Sequence, residues 1–289
     1  LPILRVIEQH LQIPVFPDTA TCWHYDDKIA QAYLLEALGI PHPRTWVFWR
    51  KAEALAWCAQ ADYPVVAKLA SGAGSMNVRL IRDAASARAY VEECFSGAGV
   101  VARPSLPRGA AARGWARAKR AAKRGACAVP YVLANRFPPL PDMYWMPHKN
   151  HVLFQEFLAG NEHDTRVTVI GDRAFAFRRF NRPDDFRASG SGRIDWETAA
   201  IDLRCVAMAF AATRKLKSQS MAFDFLSRGP AREPVVGEIS YCYADWAVEK
   251  CPGHWDSRMT WHDGHLWPEV AHVEDFLARI RSRPAESGP

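Results

Sequence analysis

The chain has 289 residues, of which 49% are hydrophobic and 24% are charged, and its formal net charge is +6 at pH 7. This composition suits one or two globular cores. No apolar run approaches the roughly 18 residues of a membrane-spanning helix. Seven cysteines without a Cys-x-x-Cys pair argue against a disulfide framework, so a cytoplasmic location is expected.

The positive charge is concentrated in one stretch of the chain. Between Cys94 and Leu140 there are nine Lys and Arg residues and no Asp or Glu. The Ala-rich centre of this stretch is predicted to form a helix with a cationic face. Two interpretations stay open: residues 103–124 steer anions or contact an anionic membrane or polymer, or the stretch is a solvated insertion. Trp115 is the one aromatic residue of the centre, so nucleic-acid binding by base stacking is not expected.

Helices and short strands alternate along the chain. Apolar spacing predicts helices over 83–95 and 198–216. Together with strands between these helices, the pattern predicts an α+β fold with mixed sheets. The strands are predicted over 65–69, 78–81, 152–158, 166–171, 174–179, 222–226 and 235–240.

The first of these strands leads into a glycine-rich loop. Lys68 ends an apolar run, and Ser71, Gly72, Gly74 and Ser75 follow it. Glycines let backbone N–H groups approach an anion closely, and a lysine supplies a positive charge. The loop is therefore a candidate phosphate site, although it matches neither the Walker sequence nor the dinucleotide fingerprint.

Two later strands each carry a carboxylate between apolar neighbours. Asp224 lies within Ala-Phe-Asp-Phe-Leu, and Glu238 lies within Val-Val-Gly-Glu-Ile-Ser. Burying an acidic residue is unfavourable unless it is paired or coordinated, and Mg²⁺ takes oxygen ligands together with substrate phosphates. The two residues are candidate magnesium ligands.

The order of these motifs resembles that of the ATP-grasp family of carboxylate-amine ligases. The similar segments are the helix, Gly-Ile-Pro-His-Pro and strand of 26–48, the lysine and glycine loop of 63–75, the Asp-x-Arg region of 152–171, the arginine segment of 177–192, and the carboxylate strands of 222–226 and 235–240. The resemblance covers roughly residues 20–270. It implies an ATP-grasp fold in which two α/β subdomains with mixed sheets clasp the nucleotide.

The resemblance also implies roles for individual residues in binding ATP. Lys68 and the backbone from Ser71 to Ser75 would hold the phosphates. Glu162 or Asp164 would accept from the ribose hydroxyls. Lys28 would face the nucleotide, with a helix-surface lysine as the alternative. The adenine edge would be read by the backbone of Gln155, Glu156, Phe157 and Leu158.

Arginines and metal ligands complete the implied site. Arg166, Arg179 and Arg187 would be the catalytic arginines, with Arg178 as the competitor of Arg179. Strand alternation places Arg179 on the face of Phe175 and Phe177, which favours Arg179. Magnesium would bind Asp224, Glu238 and Ser240; the family usually has asparagine where this chain has Ser240, whose hydroxyl reaches less far.

The resemblance further implies an order of parts along the chain. These are a remnant of a preceding N-terminal domain (1–25), an opening helix and connecting strand (26–62), a small nucleotide-covering subdomain (63–151) with a basic insertion at 97–150, a large metal- and substrate-binding subdomain (152–275) and a tail (276–289). Because the chain starts at Leu1 rather than Met, we expect an N-terminal piece to be missing from it.

The implied function is ATP-dependent ligation of a carboxylate to an amine or thiol through an acyl phosphate. The carboxylate partner would be an amino acid or a uronic acid, in peptide or surface-polysaccharide biosynthesis. Two alternatives stay open: an ATP-binding regulatory protein without turnover, and a protein that binds anionic surfaces through its basic insertion. A homodimer is a candidate assembly.

Overall fold

The computed structural model describes residues 1–72, 78–101, 147–183 and 185–282. The chain forms two compact units. The smaller unit is Trp46–Gln155, and the larger unit combines Leu1–Thr45 with Glu156–Pro289. The basic centre of the chain, together with Gly74 and Ser75, lies outside the described residues. Within the described part, no helix is both long and apolar enough to span a bilayer.

The smaller unit is built around a four-stranded sheet with the order β1-β6-β2-β3, beside a two-stranded ribbon of β4 and β5. Its aromatic core includes Phe154, whose ring stacks on that of Trp57 with the centroids 4.8 Å apart. Its strands are β1 (Thr45–Phe48), β2 (Val65–Lys68), β3 (Arg79–Ile81), β4 (Val100–Val101), β5 (Pro147–His148) and β6 (Val152–Glu156), and its helices are Lys51–Cys58 and Ala84–Cys94.

The larger unit contains a seven-stranded sheet with the order β11-β10-β7-β8-β12-β13, and β9 pairs with β8. All its strand pairs are antiparallel, so the expectation of mixed sheets is wrong for this sheet. Short turns join β7 to β8 and β10 to β11, and such turns connect antiparallel neighbours only. The strands are β7 (His163–Ile170), β8 (Arg173–Phe180), β9 (Ile194–Asp195), β10 (Ser220–Arg228), β11 (Glu233–Ser240), β12 (Gly253–Asp256) and β13 (Trp261–Asp263).

Helices of the larger unit lie before and after these strands. The predicted helix over 198–216 begins only at Leu203, because the side chain of Asp202 caps it by accepting from the Arg204 backbone N–H at 2.9 Å. The helical segments are Pro2–Arg5, a π-helix at Val6–His10, Thr19–Cys22, Lys28–Ala37, a 3₁₀ turn at Thr198–Ala200, Leu203–Leu216, Asp245–Glu249 and Pro268–Arg281.

Strand alternation gives the large sheet two different faces. One face carries Val167, Phe223 and Ile239, which are buried in the same core as the helix Leu203–Leu216. The opposite face has two ends of different character. One end is apolar and packs with the helices Asp245–Glu249 and Pro268–Arg281, whereas the other end carries charged side chains. The hydrophobic core thus leaves one end of one face available for chemistry.

His24 is buried in the larger unit, 1% exposed, and neither ring nitrogen has a hydrogen-bond partner among the described residues. Burial lowers the pKa of His24 below its ordinary value because it disfavours the imidazolium. The unfolded chain therefore takes up a proton, at a pKa of about 6.5, that the folded chain resists. Stability is full above about pH 6.5 and is lost as the pH falls towards the folded-state pKa.

We expect His24→Leu to leave the free energy of unfolding unchanged or higher at pH 7.5, because it removes an unpaired polar group from the core. Below pH 6.5 the advantage of the variant should grow by up to about 1.4 kcal/mol per pH unit. Urea denaturation between pH 5 and 8 measures this, with His10→Leu, at an exposed histidine, as the control. A constant difference between His24→Leu and the parent chain at every pH would contradict the expectation.

Candidate functional site

The charged end of the large sheet brings together residues from four strands. Asp224 on β10 lies directly opposite Glu238 on β11 and opposite Arg166 on β7. Asp164, two residues before Arg166, lies opposite Arg179 on β8. Directly opposed residues and residues two apart share a face of a sheet, so all five side chains lie on one face.

Four of these side chains form a continuous chain of ion pairs. Arg166 donates from Nε to Asp224 Oδ1 at 2.6 Å and from Nη2 to Oδ2 at 2.8 Å. Arg179 donates from Nε and Nη2 to the two oxygens of Asp164, at 2.7 and 2.6 Å. The same Nη2 also lies 2.6 Å from Asp224 Oδ2. Arg179 is therefore shared by two carboxylates, and Asp224 by two guanidinium groups.

Because most of this network is buried, each charge in it needs an opposite charge beside it. Asp164, Arg179 and Asp224 are each no more than 8% exposed. Burial opposes ionisation of Asp224, but Arg166 and Arg179 outweigh it and lower the pKa of that carboxyl far below its usual range. Burial and the neighbouring Asp224 raise the pKa of Asp164 to about 6, against the opposing effect of Arg179. Asp224 thus remains the firmly ionised carboxylate of the pair.

Glu238 is the open carboxylate of this face, with 42% of its side chain exposed. Lys28 Nζ lies 3.7 Å from Glu238 Oε1 and 3.7 Å from Asp26 Oδ1. The Lys28 side chain is only 11% exposed. Lys28 therefore lies against the carboxylates of the candidate site, and its role towards the nucleotide stays a prediction.

Ser240 lies two residues beyond Glu238, and its hydroxyl forms hydrogen bonds within its own segment of the chain. Its hydroxyl donates to the carbonyl of Cys242 at 2.7 Å and accepts from the Cys242 backbone N–H at 3.2 Å. This local turn uses the hydroxyl proton and one acceptor position. A role for Ser240 as a metal ligand stays a prediction.

In the smaller unit, Lys68 is half-buried and ends β2, which confirms a strand at 65–68. Its role in binding phosphate stays a prediction. Gly72 has φ +124°, a conformation that favours glycine. The Ser71 hydroxyl lies 3.2 Å from His148 Nε2, so β5 contacts the start of the glycine loop. His148 was not anticipated from the sequence, because no local pattern links two segments that are 77 residues apart.

The four residues of the candidate adenine-reading segment straddle the division between the units, which falls between Gln155 and Glu156. The Glu156 carboxylate accepts from the Arg44 backbone N–H at 3.0 Å and from Arg228 Nη2 at 2.9 Å. This structural pairing occupies the side chain of Glu156.

The backbone and ring beyond Glu156 also have partners. The Leu158 carbonyl accepts from Asn161 Nδ2 at 3.1 Å. Phe157 contacts the ring of Phe186 edge-on. Reading of adenine by this segment stays a prediction.

Comparison with known proteins finds no family model that matches the sequence and no match among curated proteins. Solved structures do match. Biotin carboxylase from Campylobacter jejuni, as its β,γ-ATP complex, has a TM-score of 0.56 at 12% identity, over 98% of this chain and 52% of that one. The ATP-grasp ligase PsnB, complexed with minimal precursor, Mg and ADP, has a TM-score of 0.51 at 14% identity, over 94% and 64%.

A third structure, the ADP complex of N5-carboxyaminoimidazole ribonucleotide synthetase, has a TM-score of 0.52 at 11% identity, over 84% of this chain and 51% of that one. The chain has the ATP-grasp fold. At these identities the similarity concerns the fold and not the reaction. The chain spans between about half and two thirds of the length of these ATP-grasp structures.

Within this ATP-grasp fold, the carboxylates present fit a magnesium ion that binds with phosphates. Mg²⁺ commonly takes one or two carboxylates and completes its shell with water and phosphate oxygens. In the described ranges no group of three or more His, Cys, Asp or Glu side chains is arranged to hold a metal ion. Asp224 and Glu238, which lie opposite each other, would supply two carboxylates. Asp224 already accepts two N–H groups of Arg166 and lies 2.6 Å from Arg179 Nη2, so part of its acceptor capacity is used.

The remaining predicted residues differ in how accessible they are. Glu162 is exposed, while Asp164 is held by Arg179, so Glu162 is the more accessible of the two ribose candidates. Arg187 pairs with Asp185, with Nη2 at 2.6 Å from Oδ2. Their roles stay predictions.

The two competing arginines of β8 lie on different faces of the sheet. Arg178 pairs with Asp195, which lies opposite it on β9. Arg179 lies on the face of Phe175 and Phe177, as strand alternation predicts, and the pairing of the strands brings Asp224 to the same face.

What the sequence analysis missed is the pairing among the residues that it selected. Asp164 and Arg166 were proposed separately from Asp224, as a ribose contact and a catalytic arginine. Their two-residue spacing contained the signal that they share a face, but the register between β7 and β10 is set by the fold. Because of that register, the side chains proposed as ligands form ion pairs with one another inside the protein.

We expect Arg179→Met to lower the free energy of unfolding by about 3–5 kcal/mol, because it leaves a buried carboxylate without its cation. Combining it with Asp164→Leu should recover most of that loss, since the unpaired charge is then removed as well. Chemical denaturation of both variants measures this. The control is Arg204→Met, at an exposed arginine paired with Asp202, which should change the free energy of unfolding much less than Arg179→Met does. A double variant as unstable as the single would contradict the shared-cation arrangement.

Proposed function

We propose that the chain is an ATP-dependent ligase that joins a carboxylate to an amine or thiol through an acyl phosphate. One observation carries the proposal: in a chain with the ATP-grasp fold, Asp224 and Glu238 lie opposite each other on the sheet face that also bears Arg166 and Arg179. Carboxylates for a metal beside fixed cations for phosphate are what phosphoryl transfer requires.

The proposed roles follow from charge and exposure. Glu238, with Asp224, would hold Mg²⁺, which when bound neutralises charge on the transferring phosphoryl group. Arg166 and Arg179 hold Asp224 in one orientation and supply positive charge at the same place. Lys68 and the backbone that follows it would bind phosphate oxygens.

The reaction consists of two displacements. A substrate carboxylate oxygen attacks the terminal phosphorus of ATP, and ADP leaves, which gives the acyl phosphate. The neutral amine then attacks the acyl carbon, phosphate leaves, and the nitrogen loses a proton. The carboxylate is proposed to belong to an amino acid or a uronic acid, in peptide or surface-polysaccharide biosynthesis.

The cellular compartment and the partners of the enzyme are also proposals. Six cysteines of the described ranges are free thiols, which supports a reducing, cytoplasmic compartment. A homodimer and a contact of 103–124 with anionic surfaces stay proposals from the sequence.

One observation favours a second candidate, an ATP-binding protein without turnover. The Ser240 hydroxyl forms hydrogen bonds with the backbone of Cys242, and Asp224 forms ion pairs with two arginines. If these contacts persist when nucleotide binds, the metal shell would rest on Glu238 alone. Such a protein would bind ATP and release no ADP with any carboxylate and amine.

Isothermal titration of Mg-ATP into the purified chain tests nucleotide binding. We expect Lys68→Ala and Glu238→Ala each to weaken binding by about tenfold or more, since each removes a charged contact worth about 1.5–3 kcal/mol. Lys51→Ala is the matched control, because Lys51 is an exposed lysine of the smaller unit that pairs with Glu92. Equal affinities for all four proteins would contradict the site.

Release of ADP separates the two candidate functions. A panel of amino acids and uronic acids, each with an amine, is added to the chain with Mg-ATP. ADP release that depends on both substrates supports the ligase. Tight Mg-ATP binding without ADP release across the panel supports the regulatory candidate.

A further inference from the structure

The helix Lys28–Ala37 is fixed against the strand that carries Glu238. Gln31 is buried, and its Nε2 donates to the carbonyl of Ile239, the residue after Glu238, at 3.0 Å. The same group lies 3.1 Å from the carbonyl of His24. By donating hydrogen bonds to two carbonyl oxygens, this buried amide fixes the position of the helix against β11.

The start of this helix is fixed as well. The Asp27 carboxylate accepts from the backbone N–H groups of Ile29 and Ala30, at 3.1 and 3.0 Å. Lys28 is therefore the first residue of a capped helix whose next turn is anchored beside Glu238. Its ammonium group reaches Glu238 because the fold directs it there, and not through a freely moving side chain.

The two arginines on this face of the sheet already form ion pairs with other carboxylates. Arg166 pairs with Asp224, and Arg179 pairs with Asp164 and Asp224. Among the described residues, Lys28 is the one cation within ion-pair distance of Glu238. The Lys28 ammonium group, which lies at the same distance from Asp26 Oδ1, thus offsets charge on Glu238 at the position proposed for the metal ion.

We propose that Lys28 is a positioning residue that acts as the resident counter-ion of Glu238 and competes with the divalent metal for it. The inference rests on the proposed function, because it concerns the same metal position. A fixed positive charge beside Glu238 repels a cation that binds there, so Lys28 weakens metal binding in the absence of nucleotide. Metal binding then requires the ammonium group to move away from Glu238 or its charge to be offset by the nucleotide phosphates.

Titration of Mn²⁺, followed by electron paramagnetic resonance without nucleotide, tests the proposal. We expect Lys28→Met to lower the Mn²⁺ dissociation constant by about tenfold, and Lys28→Arg, which keeps the charge, to leave it within about twofold of the parent value. Adding Glu238→Gln to Lys28→Met should abolish the gain, because the effect is exerted through that carboxylate. Lys215→Met, at a lysine that contacts the carbonyls of Leu38 and Gly39, is the control.

A purely structural role for Lys28 would lower the thermal unfolding midpoint of Lys28→Met and leave the Mn²⁺ dissociation constant unchanged, which overturns the proposal. Weaker Mn²⁺ binding in Lys28→Met also overturns it. Tighter Mn²⁺ binding in a chain that fails to bind Mg-ATP supports the counter-ion role and contradicts the ligase proposal. Mg-ATP binding together with an unchanged Mn²⁺ dissociation constant in Lys28→Met contradicts the counter-ion role and supports the ligase proposal.

Discussion

The guanidinium group of Arg179, buried between the carboxylates of Asp164 and Asp224, is the contact on which the charged face depends. Two carboxylates this close repel each other, and burial in a medium of low polarity strengthens the repulsion. A single planar cation with several fixed donors satisfies both. Removing the cation would leave buried charge without compensation, and this requirement holds β7, β8 and β10 in one register.

The network also determines which groups of the face are available for chemistry. Asp224 is oriented by Arg166 and Arg179, whereas Glu238 is partly exposed and lies near the ammonium group of Lys28. Charges held in place by their neighbours need little reorganisation when a phosphate arrives, which is how preorganised sites stabilise developing charge. A large antiparallel sheet suits this arrangement, because directly opposed residues on neighbouring strands present their side chains to the same side.

Much of this arrangement could be predicted from local patterns. The strands around Lys68, Asp224 and Glu238 have the apolar spacing of buried strands, and the choice of Arg179 over Arg178 follows from the period of two. The start of the helix at Leu203, rather than at residue 198, was harder to predict from the sequence, because it depends on the side chain of Asp202 capping the helix. The antiparallel order of the large sheet depends on pairings between distant segments, which periodicity within one strand does not contain.

The partners of charged side chains were the least predictable feature. Asp224 was a candidate because a carboxylate in an apolar strand is unusual, whereas Asp164, Arg166 and Arg179 were candidates through the resemblance to the ATP-grasp family. Neither argument contains the register between β7 and β10. The position of Lys28 depends on Gln31, a polar residue whose two carbonyl partners lie seven and 208 residues away. Contacts of this kind become visible only when the chain is folded.

A crystal structure of the chain with Mg²⁺ and ADP tests the central claim most directly. The account predicts a magnesium ion about 2.0–2.1 Å from oxygens of both Glu238 and Asp224, with the ammonium group of Lys28 displaced from Glu238. Nucleotide bound away from this face, with the Lys28–Glu238 pair and the arginine network unchanged, would contradict it.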